Sequence, residues 1–152
     1  MSDLKNIEMD FQNELEYYTI KLSRLNEFKR GECFWRPDII VSIEDIKTAI
    51  SNGIKEVNER YYSYNYLDDN LKTKEWHIGR IIYFINNPDR IDPIQIDNKC
   101  FGRCISGIPI IEDGNHRFMA LLYLGMEDIK IDYCGRRDVL NYLMGITNEI
   151  PE

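Results

Sequence analysis

The sequence predicts an α+β domain, a small mixed sheet with helices packed on it, and three observations carry that prediction. First, residues 108–133 run strand, turn, helix, strand, with Ile129, Ile131 and Tyr133 alternating at the period of a half-buried strand. Second, two stretches, 43–57 and 73–87, place apolar residues three and four apart, the period of an amphipathic helix. Third, 152 residues with 43% apolar content can fill one ordinary core and are too few for two full domains. The expected organisation is therefore a single domain over 1–152, with a motif region at 76–134 and a helical N-terminal extension or insert over 1–75.

Taken in order, Ile7, Phe11, Leu15, Tyr18, Leu22 and Leu25 show helical spacing, while Tyr18, Ile20 and Leu22 also alternate with polar residues. The segment reads as a helix to about Tyr17 followed by a strand. Residues 31–41, with Gly31, Trp35 and Pro37, read as a loop. Ser42 and Asp45 form an S-x-x-D capping signal, so a helix begins near Ser42 with Ile43, Ile46, Ile50, Ile54 and Val57 as its apolar stripe. Residues 61–72, rich in Tyr, Asn and Asp, form a connector. A second helix spans about Thr73 to Asn87, with Ile78, Ile81, Ile82 and Ile85 on one side and Pro88 and Pro93 beyond its end. A short strand at 94–96, a loop with Lys99 and Arg103, and a strand at 108–111 follow. Then come a turn over 112–115, a helix from about His116 to Leu124 stopped by Gly125, the strand at 129–133, and a last helix near Arg137 to Met144 burying Val139, Leu140 and Leu143.

Composition narrows the function classes. Net charge is −7, and the acidity is spread: residues 1–75 hold 11 basic and 15 acidic side chains, residues 76–152 hold 8 and 11. Proteins that neutralise many phosphates of duplex DNA present a basic face, so duplex DNA is disfavoured as a partner. No apolar run has the length of a membrane span, and the first residues lack a basic segment leading into an apolar one, so a cytoplasmic protein is expected. Three residues separate Cys100 from Cys104, with Cys33 and Cys134 elsewhere; this is looser than paired C-x-x-C knuckles, and the cysteines read as ordinary thiols rather than zinc ligands.

The segment that points to chemistry is Ile110-Ile111-Glu112-Asp113-Gly114-Asn115-His116-Arg117, where an apolar strand turns on a glycine and opens a helix. Helix N-termini present unpaired N–H groups and a partial positive charge, which suits an anion. Gly114 lets a ligand approach the backbone, Arg117 supplies a planar donor fork for phosphate oxygens, and His116 supplies a further donor. Asp113 would be repulsive beside a phosphate unless a Mg²⁺ ion bridges the two or the carboxylate works as a base. On the residues alone, Asp113 as a helix cap with His116 and Arg117 as solvated first-turn residues is an equally open reading.

At these residues the chain resembles the ParB/sulfiredoxin superfamily. The pattern is carried by Pro93-Ile94-Gln95-Ile96, by Ile110 to Arg117, by Ala120, by Leu124-Gly125 and by Ile129-Lys130-Ile131, covering about 76–134. More weakly, Tyr18 to Ser23 resembles the family's opening strand, and the segment between would be an enlarged helical insert. The resemblance implies nucleotide binding, with Gly114, Asn115, His116 and Arg117 on the phosphates. Asn115 stands where sulfiredoxins carry their reactive cysteine, which argues against that chemistry, and residues after 134 leave no room for the DNA-binding regions of ParB proteins. The Asp-Gly-x-His-Arg form is closest to the free serine kinase branch, which also uses a glutamate after its opening strand; Glu27 stands in that neighbourhood. The glycine that usually precedes Pro-Ile is missing before Pro93.

The expected function is therefore a nucleotide phosphate-binding protein of the ATP, ADP or CTP class. It would act as a small-molecule phosphotransferase or nucleotide hydrolase, with Asp113, His116 and Glu27 as catalytic candidates, Asp113 as a Mg²⁺ ligand, and a nucleoside di- or triphosphate as cofactor. The alternative is a non-catalytic regulatory module that binds a nucleotide or, through its N-terminal helical region, a protein partner.

Overall fold

A computed structural model describes residues 9–11, 17–36, 38–58, 72–97, 99–100, 104–105 and 107–151. Strands and helices are both present and the main sheet is mixed, so the α+β class holds. The chain divides into two compact units.

The first unit draws on Met1–Arg30, Pro93–Gly114 and Met126–Glu152. Its sheet is built around the long strand β9 (Asp128–Arg136). On one side β9 pairs in parallel with β5 (Ile94–Asp97), which pairs antiparallel with β8 (Ile111–Asp113). Along its other side β9 pairs antiparallel with β2 (Tyr18–Lys21) and, further on, with β1 (Met9–Phe11). Alternation decides which face is inside: Ile20, Ile94, Ile96, Ile129, Ile131 and Tyr133 are buried, while Thr19, Gln95 and Lys130 are exposed. Helices α1 (Leu22–Lys29) and α5 (Arg137–Met144) pack with this sheet, α1 on β2 and α5 on both β2 and β9.

Two expectations change here. Of the helix expected up to Tyr17, residues 1–8 and 12–16 lie outside the described residues; Met9–Phe11 is a strand, because the edge of β9 offers that backbone a ladder (Phe11 opposite Cys134) that outweighs local spacing. The strand expected over 108–111 begins only at Ile111; Ile108 and Ile110 are exposed, and the Ile110 carbonyl accepts from the Asp97 N–H at 2.9 Å. Lys99–Cys100 (β6) and Cys104–Ile105 (β7) form a small separate ladder inside the expected loop.

The second unit draws on Gly31–Asp92 and Asn115–Gly125. The expected loop over 31–41 is instead a hairpin, β3 (Glu32–Arg36) with β4 (Ile39–Ser42). The β-branched run Ile39-Ile40-Val41 carries the strand preference that the neighbouring loop-forming residues masked. Helix α2 (Ile43–Ser51) starts at the expected cap: the Asp45 N–H donates to Ser42 Oγ at 3.2 Å, and the Ser42 N–H donates to Asp45 Oδ2 at 2.9 Å. Burial pushes the Asp45 carboxyl up, but the bond from Ser42 and the Lys74 ammonium at 3.0 Å outweigh it and hold the pKa below the ordinary value. The helix stops at Ser51, so Ile54 and Val57 of the expected stripe lie beyond it. The expected connector at 61–72 falls almost wholly outside the described residues.

Helix α3 (Lys74–Asn86) is capped by Thr73, whose Oγ1 accepts from the Trp76 N–H at 3.2 Å, and a short 3₁₀ turn, Pro88–Arg90, ends it. Val57 crosses α3 at Gly79, where its N–H donates to the Gly79 carbonyl at 2.9 Å; a Cβ on Gly79 would stand 2.5 Å from Val57 Cγ2. Only glycine permits that approach. Helix α4 (Asn115–Tyr123) packs on α3 with Phe118, Met119 and Ala120 fully buried, and the chain turns at Gly125 as expected. No helix among the described residues is long and apolar enough to cross a membrane.

Candidate functional site

The residues singled out by sequence fall on three elements. Asp113 is the exposed last residue of β8, where it stands opposite Gln95. Gly114 follows with φ of 113°, a backbone state that side chains with a Cβ rarely adopt, and closes the Pro93–Gly114 segment of the first unit. Asn115, His116 and Arg117 form the first turn of α4 in the second unit, all three half-buried. Glu27 lies on α1, exposed, and accepts a short hydrogen bond from the Tyr142 hydroxyl of α5.

The first turn of α4 gathers charge. His116 Nε2 lies 2.9 Å from Nδ1 of His77 on α3, with the two rings 15° from parallel and their centroids 5.2 Å apart. Trp76 stands edge-on to both rings, at 5.1 Å from His77 and 5.9 Å from His116. Arg117 donates from one terminal nitrogen to the Asp92 carbonyl at 3.1 Å. Arg80, one turn beyond His77 on α3, is buried and donates to the Val57 carbonyl at 2.9 Å.

This setting keeps His116 neutral. Burial, followed by the electrostatic influence of the neighbouring His77, Arg80 and Arg117, pushes its pKa well below the ordinary imidazole value. The Arg80 and Arg117 guanidiniums and the partial positive charge of the helix N-terminus act on the ring in the same direction.

Comparison with known proteins finds no matching family model, no matching curated protein and no matching solved structure.

Sequence reasoning found His116 and Arg117 but missed Trp76, His77 and Arg80. A signal was present: His77 and Arg80 are three apart within a helix otherwise lined by isoleucines, so both share its buried side. The chain has two histidines in all, and they are each other's partners. Among the described residues, no group of three or more His, Cys, Asp or Glu side chains is placed to hold a metal ion. A Mg²⁺ ion delivered with phosphate needs only one or two carboxylates, a role for which Asp113 remains the candidate. Cys134 is a free thiol.

Glu27 belongs to a different cluster. Arg24 lies over the Tyr142 ring, 4.4 Å from its centroid, and donates to the carbonyls of Tyr142 (3.2 Å) and Thr147 (2.8 Å), satisfying acceptors at the C-terminal end of α5. The bond to the Glu27 carboxylate, then burial, raises the Tyr142 phenol above its ordinary pKa. The partners of Glu27 in this cluster are those of a clasp between α1 and α5.

Proposed function

We propose that the chain binds the phosphates of a nucleoside di- or triphosphate at the first turn of α4, and that it is a small-molecule phosphotransferase or nucleotide hydrolase. The observation that supports this best is the gathering of basic side chains at that turn, with His116 Nε2 2.9 Å from His77 Nδ1 and Arg117 bonded to the Asp92 carbonyl. The backbone N–H groups of the helix start, the Arg117 guanidinium and the His116 ring are donors suited to phosphate oxygens. The resemblance of Pro93–Ile96 and Asp113–Arg117 to the ParB/sulfiredoxin superfamily points the same way and suggests that fold for the sheet and the motif.

Phosphoryl transfer asks mainly for positioning and charge neutralisation, so a few donors can suffice. Asp113, next to the turn in the chain, would share a Mg²⁺ ion with the phosphates or take a proton from a nucleophile. Glu27, already bonded to Tyr142, is left with the smaller claim to a catalytic role.

Two variants test the proposal against ATP, ADP and CTP with Mg²⁺. Arg117→Ala should weaken binding about tenfold or more, the effect of removing a charge-assisted donor; unchanged affinity removes the site. Asp113→Ala should keep binding while turnover falls below detection. If the native chain binds nucleotide with a raised melting temperature and turns over nothing across a broad panel of acceptors, the regulatory module becomes the better account.

A further inference from the structure

Cys100 is the last residue of β6 and Cys104 the first of β7, and the two stand directly opposite each other in the antiparallel ladder, next to the pair Lys99 and Ile105. Directly opposed residues of such a ladder have Cα atoms about 5.5 Å apart in hydrogen-bonded pairs and about 4.5 Å apart in the other kind. A disulfide needs Cα atoms between about 4.4 and 6.8 Å apart. Either kind of pair therefore falls within the disulfide range. The other two cysteines are placed differently. Cys33 is opposite Val41 in the second unit, and Cys134 of β9 is opposite Asp97 of β5 and Phe11 of β1.

The sequence sets a cation beside each member of the pair. Lys99 precedes Cys100 and Arg103 precedes Cys104, while the nearest carboxylate along the chain is Asp97. Neighbouring cations favour the thiolate, the form that attacks a disulfide. A bond across so short a stretch constrains the unfolded chain little, so reductants should reopen it.

We propose that Cys100 and Cys104 are a redox-active dithiol, oxidised to an intramolecular disulfide by small-molecule disulfides of the glutathione type. One cysteine thiolate attacks the reagent disulfide, which forms a mixed disulfide and releases one thiolate of the reagent. The other cysteine then loses its proton, attacks the protein sulfur of the mixed disulfide and releases the second. The protein gives up two protons and two electrons and gains one S–S bond; the reagent loses its S–S bond and leaves as two thiols. This pair is independent of the phosphate reading of the α4 turn.

Trypsin separates the two residues, because it cuts after Lys99, Arg103 and Arg117, so a disulfide would join fragments 100–103 and 104–117. The reduced full chain is exposed to oxidised glutathione in mildly alkaline buffer, free thiols are alkylated, and the fragments are weighed. The joined fragments are expected as the main oxidised product, and dithiothreitol should restore all four thiols. In concentrated urea the same bond should form about tenfold more slowly, because the ladder no longer holds the two residues opposite each other. A bond from either residue to Cys33 or Cys134, glutathione adducts that persist on both residues, or thiols that stay unreacted would overturn the proposal. Equal rates in the folded and the unfolded chain would overturn it as well.

Discussion

At the residue scale, the decisive group is His116, because its protonation is coupled to folding. Its pKa in the folded chain lies well below the ordinary 6.5. The unfolded chain therefore takes up a proton first as pH falls, and stability is lost as pH drops through about 6.5 toward the folded value. A single such group can contribute a slope of up to about 1.4 kcal/mol per pH unit in that window. Chemical denaturation from pH 7.5 to pH 5 should show native stability falling faster than that of His116→Gln, whose amide can still bond His77 but carries no titrating proton. Equal slopes in the two proteins would mean that His116 is not held neutral by the fold. The same residue shows what a sequence can and cannot reveal. Asp113 to Arg117 announce a turn and a set of donors, but the partner that defines the imidazole is 39 positions away on another helix. Pairing over that distance leaves no local spacing to read.

At the element scale, local signals were legible wherever capping and periodicity agreed. The Ser42–Asp45 box, the Thr73 start of α3, the alternation along β9 and the Arg137–Met144 helix all stand where the sequence placed them. Ser42→Ala should cost about 1 kcal/mol in equilibrium unfolding, the usual loss for an N-cap; no loss would show that the cap contributes little. The failures share one cause. β1 exists because a distant strand has an open edge, and β3 exists because β4 pairs with it. A ladder is a non-local object, and three to five residues carry little periodicity of their own. Gly79 is a third non-local feature: within a helical pattern it resembles a weak helix former, yet Val57 crosses directly over it. Gly79→Ala gains helix propensity but drives a methyl into Val57, so thermal or urea melts should show a net loss of about 1–3 kcal/mol. A stabilised variant would mean that the 54–58 segment yields easily.

At the scale of the whole molecule, the chain carries a net charge of −7. The proposed site asks for a small anion and not for duplex DNA, because one phosphate group needs a few converged donors whereas a duplex needs an extended basic face. The class of the fold was legible from alternation and helical spacing alone. The division into two units was not, since the second unit is assembled from Gly31–Asp92 and the single distant helix Asn115–Gly125. The central claim is that the first turn of α4 binds a nucleotide phosphate, and amide NMR of the labelled chain titrated with Mg²⁺–ATP tests it most directly. The N–H signals of Asn115, His116 and Arg117 should move together and saturate with one affinity, and the response should be lost in Arg117→Ala. Signals at these three positions that stay fixed while saturating shifts appear elsewhere would contradict it.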